Sequence, residues 1–208
     1  MVGAASSTVY QIKVSLRGIS PMIWRRLLVS DDLTLYGLHR VIQIAFSWED
    51  YHLHAFKLHG RRYSTMWTGE RHRDANGHEI TLADLRLRLR QRILYEYDFG
   101  DMWEHEIRVE AKREREPGKV YPVCTDGARA GPPEDIGGPD GYAALVDRLR
   151  FGDVERLLFG EDDGDSEDDF EDDDDDPLSA FEPNRFSRRE VNAELKREWA
   201  EVRDQVGS

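Results

Sequence analysis

Polar and hydrophobic positions alternate in several short runs of this chain, and one run shows both of its faces. Across 103–110, Trp103, His105, Ile107 and Val109 share one side, while Glu104, Glu106, Arg108 and Glu110 share the other. A period of two with charge on one side predicts a strand with one face packed and one in water. Residues 93–97 predict its partner strand. The two are joined through Asp98-Phe99-Gly100-Asp101, where glycine and flanking aspartates favour a tight turn. Tyr95, Tyr97, Phe99 and Trp103 place four aromatics in nine residues and mark this hairpin as the centre of the core.

The remaining elements follow from the same patterns. Tyr10, Ile12, Val14 and Leu16 alternate with polar residues and predict a strand. Residues 22–29 predict a second, apolar on both faces, with Ile23, Leu27 and Val29 around Arg25. Asp31, Asp32 and Thr34 are helix-start residues, and Leu35, Leu38, Ile42, Ala45 and Phe46 then predict a helix over 34–46. Residues 51–58 predict a third strand with His52, His54, Phe56 and Leu58 on one face, followed by a short fourth over 61–64. Residues 65–80 are polar and predict a loop. Thr81 caps a short helix to 89, with Leu82, Leu85 and Leu89 inward. Residues 120–139, rich in proline and glycine, predict an irregular loop. Helical spacing returns from Asp140 to Leu149, and again over 154–159. Ser187-Arg188-Arg189-Glu190 has the form of a capping box, opening an amphipathic helix on Val191, Leu195, Trp199 and Val202.

The expected fold class is α+β, a mainly antiparallel sheet with helices packed on one side. The domain spans 8–160 behind a flexible tail, 1–7. An acidic disordered linker, 161–180, and a C-terminal amphipathic helix, 181–208, follow it.

Charge is distributed unevenly. The net charge is −13 over 208 residues, and residues 161–176 hold thirteen acids and no base. The rest of the chain is neutral, 29 bases against the remaining 29 acids. The net figure therefore does not support nucleic-acid binding; Arg86, Arg88, Arg90 and Arg92 form the one dense basic run. Like charges so close cannot fold on themselves, so the acidic run reads as a solvated tether. Either it or the terminal helix offers a place for a protein partner. One cysteine, Cys124, excludes an intramolecular disulfide and fits a reducing, cytoplasmic setting. No run of membrane-spanning or signal-peptide type is present, so no membrane association is expected.

Candidate chemistry centres on three histidines. His52-x-His54 sets two imidazoles about 7 Å apart on one strand face, and His105 faces inward on another. Together they suggest a divalent metal site, with Asp98, Asp101, Glu134 and Cys124 as further ligands. The alternative is that each histidine is a hydrogen-bonded structural residue. Asp98, Asp101, Glu134 and Asp135 are the candidate catalytic acid–base carboxylates. In the structural alternative, Asp98 and Asp101 bond turn amides, while Glu134 and Asp135 cap loops or meet Arg25 and Arg26. Asp98-Phe99-Gly100 matches the kinase magnesium triplet in letters only, since no glycine-rich loop or strand lysine accompanies it.

Five motifs carry a resemblance. They are Pro21-x-Ile23-Trp24-Arg25-Arg26; Leu38-His39-x-x-Ile42-Gln43-x-Ala45-Phe46-x-Trp48; His52-Leu53-His54-x-Phe56; Tyr97-Asp98-Phe99-Gly100-Asp101-x-Trp103-x-His105; and Pro132-Pro133-Glu134-Asp135-x-Gly137-Gly138-x-x-Gly141-Tyr142. In order and spacing the chain resembles the plasmid pRiA4b ORF-3-like family over 8–150, with a similar ending over 181–195. The resemblance implies an α+β domain of unassigned activity. Its motif residues here are Arg25, Arg26, Trp48, Tyr97, Asp98, Gly100, Asp101, Trp103, Pro133, Gly137 and Gly138. Some members carry a resolvase label or an attached DNA-binding domain, and many have a second cysteine where Ile136 stands. The expected role is a non-catalytic binding or interaction module in a mobile-element setting. The rivals are a metal-dependent hydrolase centred on His52, His54 and His105, and a DNA-associated protein.

Overall fold

The computed structural model describes residues 8–64, 75–159 and 178–206. The tail over 1–7 and the acidic run over 161–176 lie outside the described residues. Eight strands form one sheet: β1 (Thr8–Leu16), β2 (Trp24–Ser30), β3 (His54–Leu58), β4 (Arg61–Ser64), β5 (Ala75–Asn76), β6 (Arg92–Tyr97), β7 (Trp103–Glu114) and β8 (Val123–Ala128). Their order is β5-β4-β3-β6-β7-β1-β2-β8. Every pairing is antiparallel except that of β4 with the two-residue β5. Helices α1 (Leu35–Phe46), α2 (Gly138–Phe159) and α3 (Arg188–Val206) cover one face. The expected α+β architecture is what the chain forms.

The hairpin of β6 and β7 sits at the middle of the sheet, as its alternation requires. Tyr97 faces Trp103, Tyr95 faces His105, and Ile93 faces Ile107, all buried. The opposite face of β7 is charged, and its carboxylates find cations there: Glu104 meets Arg17, and Glu110 meets Arg26. β2 is covered on both sides. Arg25, Leu27 and Val29 join the main core, whereas Leu28 packs with Val9 and Tyr121 on the outer face.

Capping chemistry sets the bounds of α1. The Thr34 hydroxyl accepts from the Gly37 amide at 3.0 Å. Ser47, left-handed at φ 63°, ends the helix by sending its amide back to the Gln43 and Ile44 carbonyls. The terminal helix α3 docks on the body. Asn192 closes a reciprocal pair with the main chain of Cys124 on the edge strand β8, at 2.7 and 2.8 Å. Val191 and Leu195 are buried beneath it.

Several sequence expectations need correction. Residues 81–89 form turns rather than a helix. Thr81 and Asp84 do close a capping box, but Arg86 takes a left-handed φ of 48° and stops propagation. Leu87 is buried in consequence, and Leu89 is exposed. The third strand begins at His54, because Asp50 at φ 65° turns the chain and leaves His52 outside the sheet. The glycine- and proline-rich segment contains a strand, β8, and the two predicted helical pieces after it run together as α2.

Phe46 ties these parts together, stacked on Trp48 and edge-on to His105, with the Arg25 guanidinium 4.9 Å from its ring centre. Phe46→Ala should lower unfolding free energy by about 3–5 kcal/mol, read from urea denaturation. A loss below about 1 kcal/mol would mean that this packing does not hold the core.

Candidate functional site

The structure does not bring His52, His54 and His105 together; among the described residues each joins a different set. His105 is fully buried, with Phe46, Trp48 and Tyr95 ring centres all within 5.2 Å. Among the described residues neither of its ring nitrogens makes a well-aligned hydrogen bond, although main-chain groups of Trp103 and Tyr95 lie beside the ring. His54 stacks on His39 of α1, ring centres 3.5 Å apart and nearly parallel.

His39 belongs to a buried relay. Its Nε2 lies 2.6 Å from Asp50 Oδ1, and its Nδ1 lies 2.7 Å from the Tyr95 hydroxyl. The neighbours fix the roles. Ionised Asp50 also accepts from Arg40 at 2.7 Å, so His39 donates to it through Nε2. Tyr95 then donates to Nδ1 and accepts from Gln43 at 3.0 Å. Residue-type reasoning singled out none of His39, Gln43, Asp50 or Tyr95 as a site residue. The available signal was two polar residues, His39 and Gln43, four apart on the same face as Leu38 and Ile42.

Of the four candidate carboxylates, Asp98 and Asp135 meet around His52, while Asp101 and Glu134 bond nearby loop groups, on a shelf made by the 49–53 loop, the β6–β7 turn and the 132–138 loop. Asp98 accepts from the Gly100 amide at 2.9 Å, and Asp101 accepts from the Gly137 amide at 3.0 Å. Glu134 accepts from the Glu49 amide at 2.7 Å and from the Tyr97 hydroxyl at 2.5 Å. Burial and this bond both push the Tyr97 phenol up. The loops pack so closely that a Cβ on Gly138 would lie 2.2 Å from the Asp101 carbonyl oxygen. Asp50, Asp98, Met102 and Asp135 all adopt left-handed φ, between 54° and 65°. Strained backbone of this kind gathers at functional sites.

His52 enters this shelf. Its Nε2 lies 3.0 Å from Asp135 Oδ1 and 3.8 Å from Asp98 Oδ2, with its N–H aligned to neither. Arg25 and Arg26 stay away; of the two expected alternatives, Glu134 takes the loop amide of Glu49 rather than an arginine. Arg26 pairs with Glu110 and Asp126. Arg25 donates only to main-chain carbonyls, those of Trp24, Ala45 and Ala128. The other expected cations, Arg86, Arg88, Arg90 and Arg92, are exposed, with Arg92 3.5 Å from Glu106.

Residues 8–190 match the family model for the plasmid pRiA4b ORF-3-like protein. The chain belongs to that family. It is 32% identical over 146 residues to the uncharacterised protein y4hQ of Sinorhizobium fredii (strain NBRC 101917 / NGR234), covering 69% of this chain and 74% of the relative. The crystal structure of MM3350, a protein of unknown function from Methanosarcina mazei Go1, matches with a TM-score of 0.68 at 32% identity. The match covers 89% of this chain and 97% of that one. The shelf and the relay thus lie within the matched residues, in a fold shared with a solved relative. Among the described residues no helix is long and apolar enough to cross a membrane.

Burial keeps the inner histidines of this pRiA4b ORF-3-like protein neutral. Desolvation, reinforced for His54 by the neighbouring His39, lowers both His54 and His105 to about 3. Burial also lowers His39, outweighing its bond to Asp50. For Asp50, burial acts upward, but the bonds and charges of His39 and Arg40 hold the carboxyl below its usual range. A histidine depressed in the fold stays neutral there while the unfolded chain takes up a proton. Its stabilisation is therefore complete above pH 6.5 and is lost as pH falls towards 3. Each such group costs about 1.4 kcal/mol per pH unit in that window. Between pH 6.5 and 5, His54 and His105 together should remove about 3 kcal/mol, because the unfolded imidazole is only half protonated at pH 6.5. His105→Phe should halve the loss, measured by urea denaturation at each pH. A flat profile across that window would show that these imidazoles are not buried as neutral rings.

Proposed function

We propose that this pRiA4b ORF-3-like protein is a non-catalytic binding module whose shelf docks a positively charged, partly apolar segment of a partner protein. One observation carries this reading. The loop that carries His52 also carries exposed Tyr51 (72%) and Leu53 (37%), and the turn that carries Asp98 also carries Phe99 (39%), with the Arg62 guanidinium 5.0 Å from its ring centre, and Met102 (50%), while Asp135 is exposed beside His52. Acid beside exposed apolar surface fits a basic, apolar guest better than water. Catalysis gains little support, because Asp98, Asp101 and Glu134 are engaged by loop amides and His105 is sealed in the core. A mobile-element setting rests on the family's plasmid name, and a cytoplasmic one on the single cysteine. Peptide display against the full chain should enrich Lys or Arg beside an aliphatic or aromatic residue. The double change Tyr51→Ala and Asp135→Asn should weaken the enriched peptides at least tenfold, on the order of 1.4 kcal/mol. Enrichment of acidic or uncharged sequences overturns the reading.

A second reading is favoured by the His52 ring nitrogen. It lies between two carboxylate oxygens without a hydrogen bond, and the ligand atoms of His52, Asp98 and Asp135 lie within 4.8 Å of one another. One imidazole and two carboxylates suit a divalent cation such as manganese. Calorimetric titration of manganese into tag-free protein should then show saturable uptake that His52→Ala abolishes. No uptake at millimolar manganese removes this reading and leaves the docking surface as the role of the shelf.

A further inference from the structure

A second cavity lies apart from the shelf, between the C-terminal end of α1, the 130–131 loop and the strap that leads into α3. Its volume is about 580 Å³, within the range of small-ligand sites. Arg25 forms part of its wall and is only 3% exposed. The guanidinium lies between the rings of Phe46 and Phe186, at 4.9 and 4.6 Å. Its Nε and Nη1 donate to three main-chain carbonyls, and no carboxylate accepts from it. The hydrogen bonds of Arg25 among the described residues run from Nε and Nη1, not from Nη2. A buried cation without a counter-ion is costly unless an anion arrives to meet it.

The opposite end of the cavity has the opposite character. Glu194 and Glu198 stand one turn apart on α3 and both line it. Like charges at that spacing repel. Burial and the bond to Glu194 raise the Glu198 carboxyl. Exposed Arg197 bonds Glu194 and lies 3.9 Å from Glu198, and Arg40, shared with Asp50, reaches Glu198 at 3.5 Å, so an incoming ammonium would displace guanidinium groups there.

The separation of the two ends can be read from the helices. Arg25 bonds the Ala45 carbonyl near the end of α1, whereas Glu198 meets Arg40, five residues earlier on the same helix. Five residues span roughly 7.5 Å of helix. Apolar side chains, among them Phe181, Phe186 and Val191, line the space as well.

We infer that this cavity binds a short zwitterion of dipeptide size, its carboxylate on Arg25 and its ammonium at Glu194 and Glu198. A simple anion fits less well, because the same walls carry Glu49 and Glu190 besides that acidic pair, against two arginines. Arg185, the second arginine, is already engaged by Glu190 at 3.2 Å. An apolar dipeptide satisfies both ends and covers the rings between them. The assignment does not rest on the docking role proposed for the shelf, so either reading can fail without the other.

Calorimetry on the full chain tests the assignment with L-leucyl-L-leucine, its N-acetyl form, its C-terminal amide and sodium acetate. Saturable binding of the free dipeptide is expected. Each blocked form should bind at least tenfold more weakly, and acetate should not compete at equal concentration. Arg25→Lys keeps the charge but loses the fork, and should weaken the dipeptide. Should that variant fail to fold, the partly exposed pair Glu194→Gln and Glu198→Gln should still fold and should weaken the dipeptide while leaving its N-acetyl form unaffected. Absence of dipeptide binding to the unchanged protein overturns the inference. So does equal binding of the free and blocked forms, or acetate competing as strongly as the dipeptide.

Discussion

Trp48 holds the parts of this molecule in register. Its ring stacks on Tyr97 at 5.0 Å and on Phe46 at 5.6 Å, and meets Trp103 at 5.9 Å. Its indole N–H donates to the Pro132 carbonyl at 2.8 Å. One side chain thereby joins the end of α1, the central hairpin and the 132–138 loop. A large aromatic with a polar edge suits such a junction, because its faces bury area while its N–H needs an acceptor. The approach of that loop leaves no room elsewhere. A Cβ on Gly131 would fall 2.0 Å from the Phe46 carbonyl oxygen. The shelf is therefore a product of core packing, and its carboxylates sit where the aromatic stack places the loops.

The polar groups beneath divide according to what each buries against. His39 is buried but fully bonded, to Asp50 on one side and Tyr95 on the other, with Arg40 completing the charge balance. His105 is buried with neither nitrogen in a well-aligned hydrogen bond among the described residues, and only the neutral ring is tolerable there. The first arrangement fixes the 47–53 loop against α1, and the second fills a gap among rings. Neither presents an imidazole to a substrate. His52 and Asp135 lie instead at the rim, with Asp135 exposed.

The hairpin alternation was readable because a period of two with charge on one side is met by a half-buried strand and by little else. The same was true of α1, whose cap and apolar stripe agree. The capping box at Thr81 is real, but the helix expected beyond it does not form. The left-handed Arg86 that ends it leaves no trace in residue type. His52 and His54 looked equivalent at two residues apart, yet one turn of backbone at Asp50 separates strand from loop and sends them to different sets. Asp98, Asp101, Glu134 and Asp135 were legible as residue types suited to one site. Their arrangement was not, since it depends on loops meeting across long stretches of chain. Arg25 is the most instructive miss. A buried arginine was expected to seek a carboxylate, and here carbonyls and two phenylalanine rings take that place.

That miss changes how the charge on the molecule is understood. A neutral body does not require every charge to be locally neutral, and this one keeps its imbalances at particular places. The shelf brings Asp98 and Asp135 to His52, and Arg25 stands without a carboxylate partner among the described residues at one end of a cavity whose other end is acidic. Both adjoin the Trp48-Glu49 step. Trp48 and Glu49 line the cavity, while the Glu49 amide anchors Glu134 of the shelf. A ligand that displaced this step from the cavity side would shift the Glu134 anchor with it. The two surfaces share a rigid element, so any coupling between them has to pass through the backbone at Trp48 and Glu49 rather than through the sealed histidines.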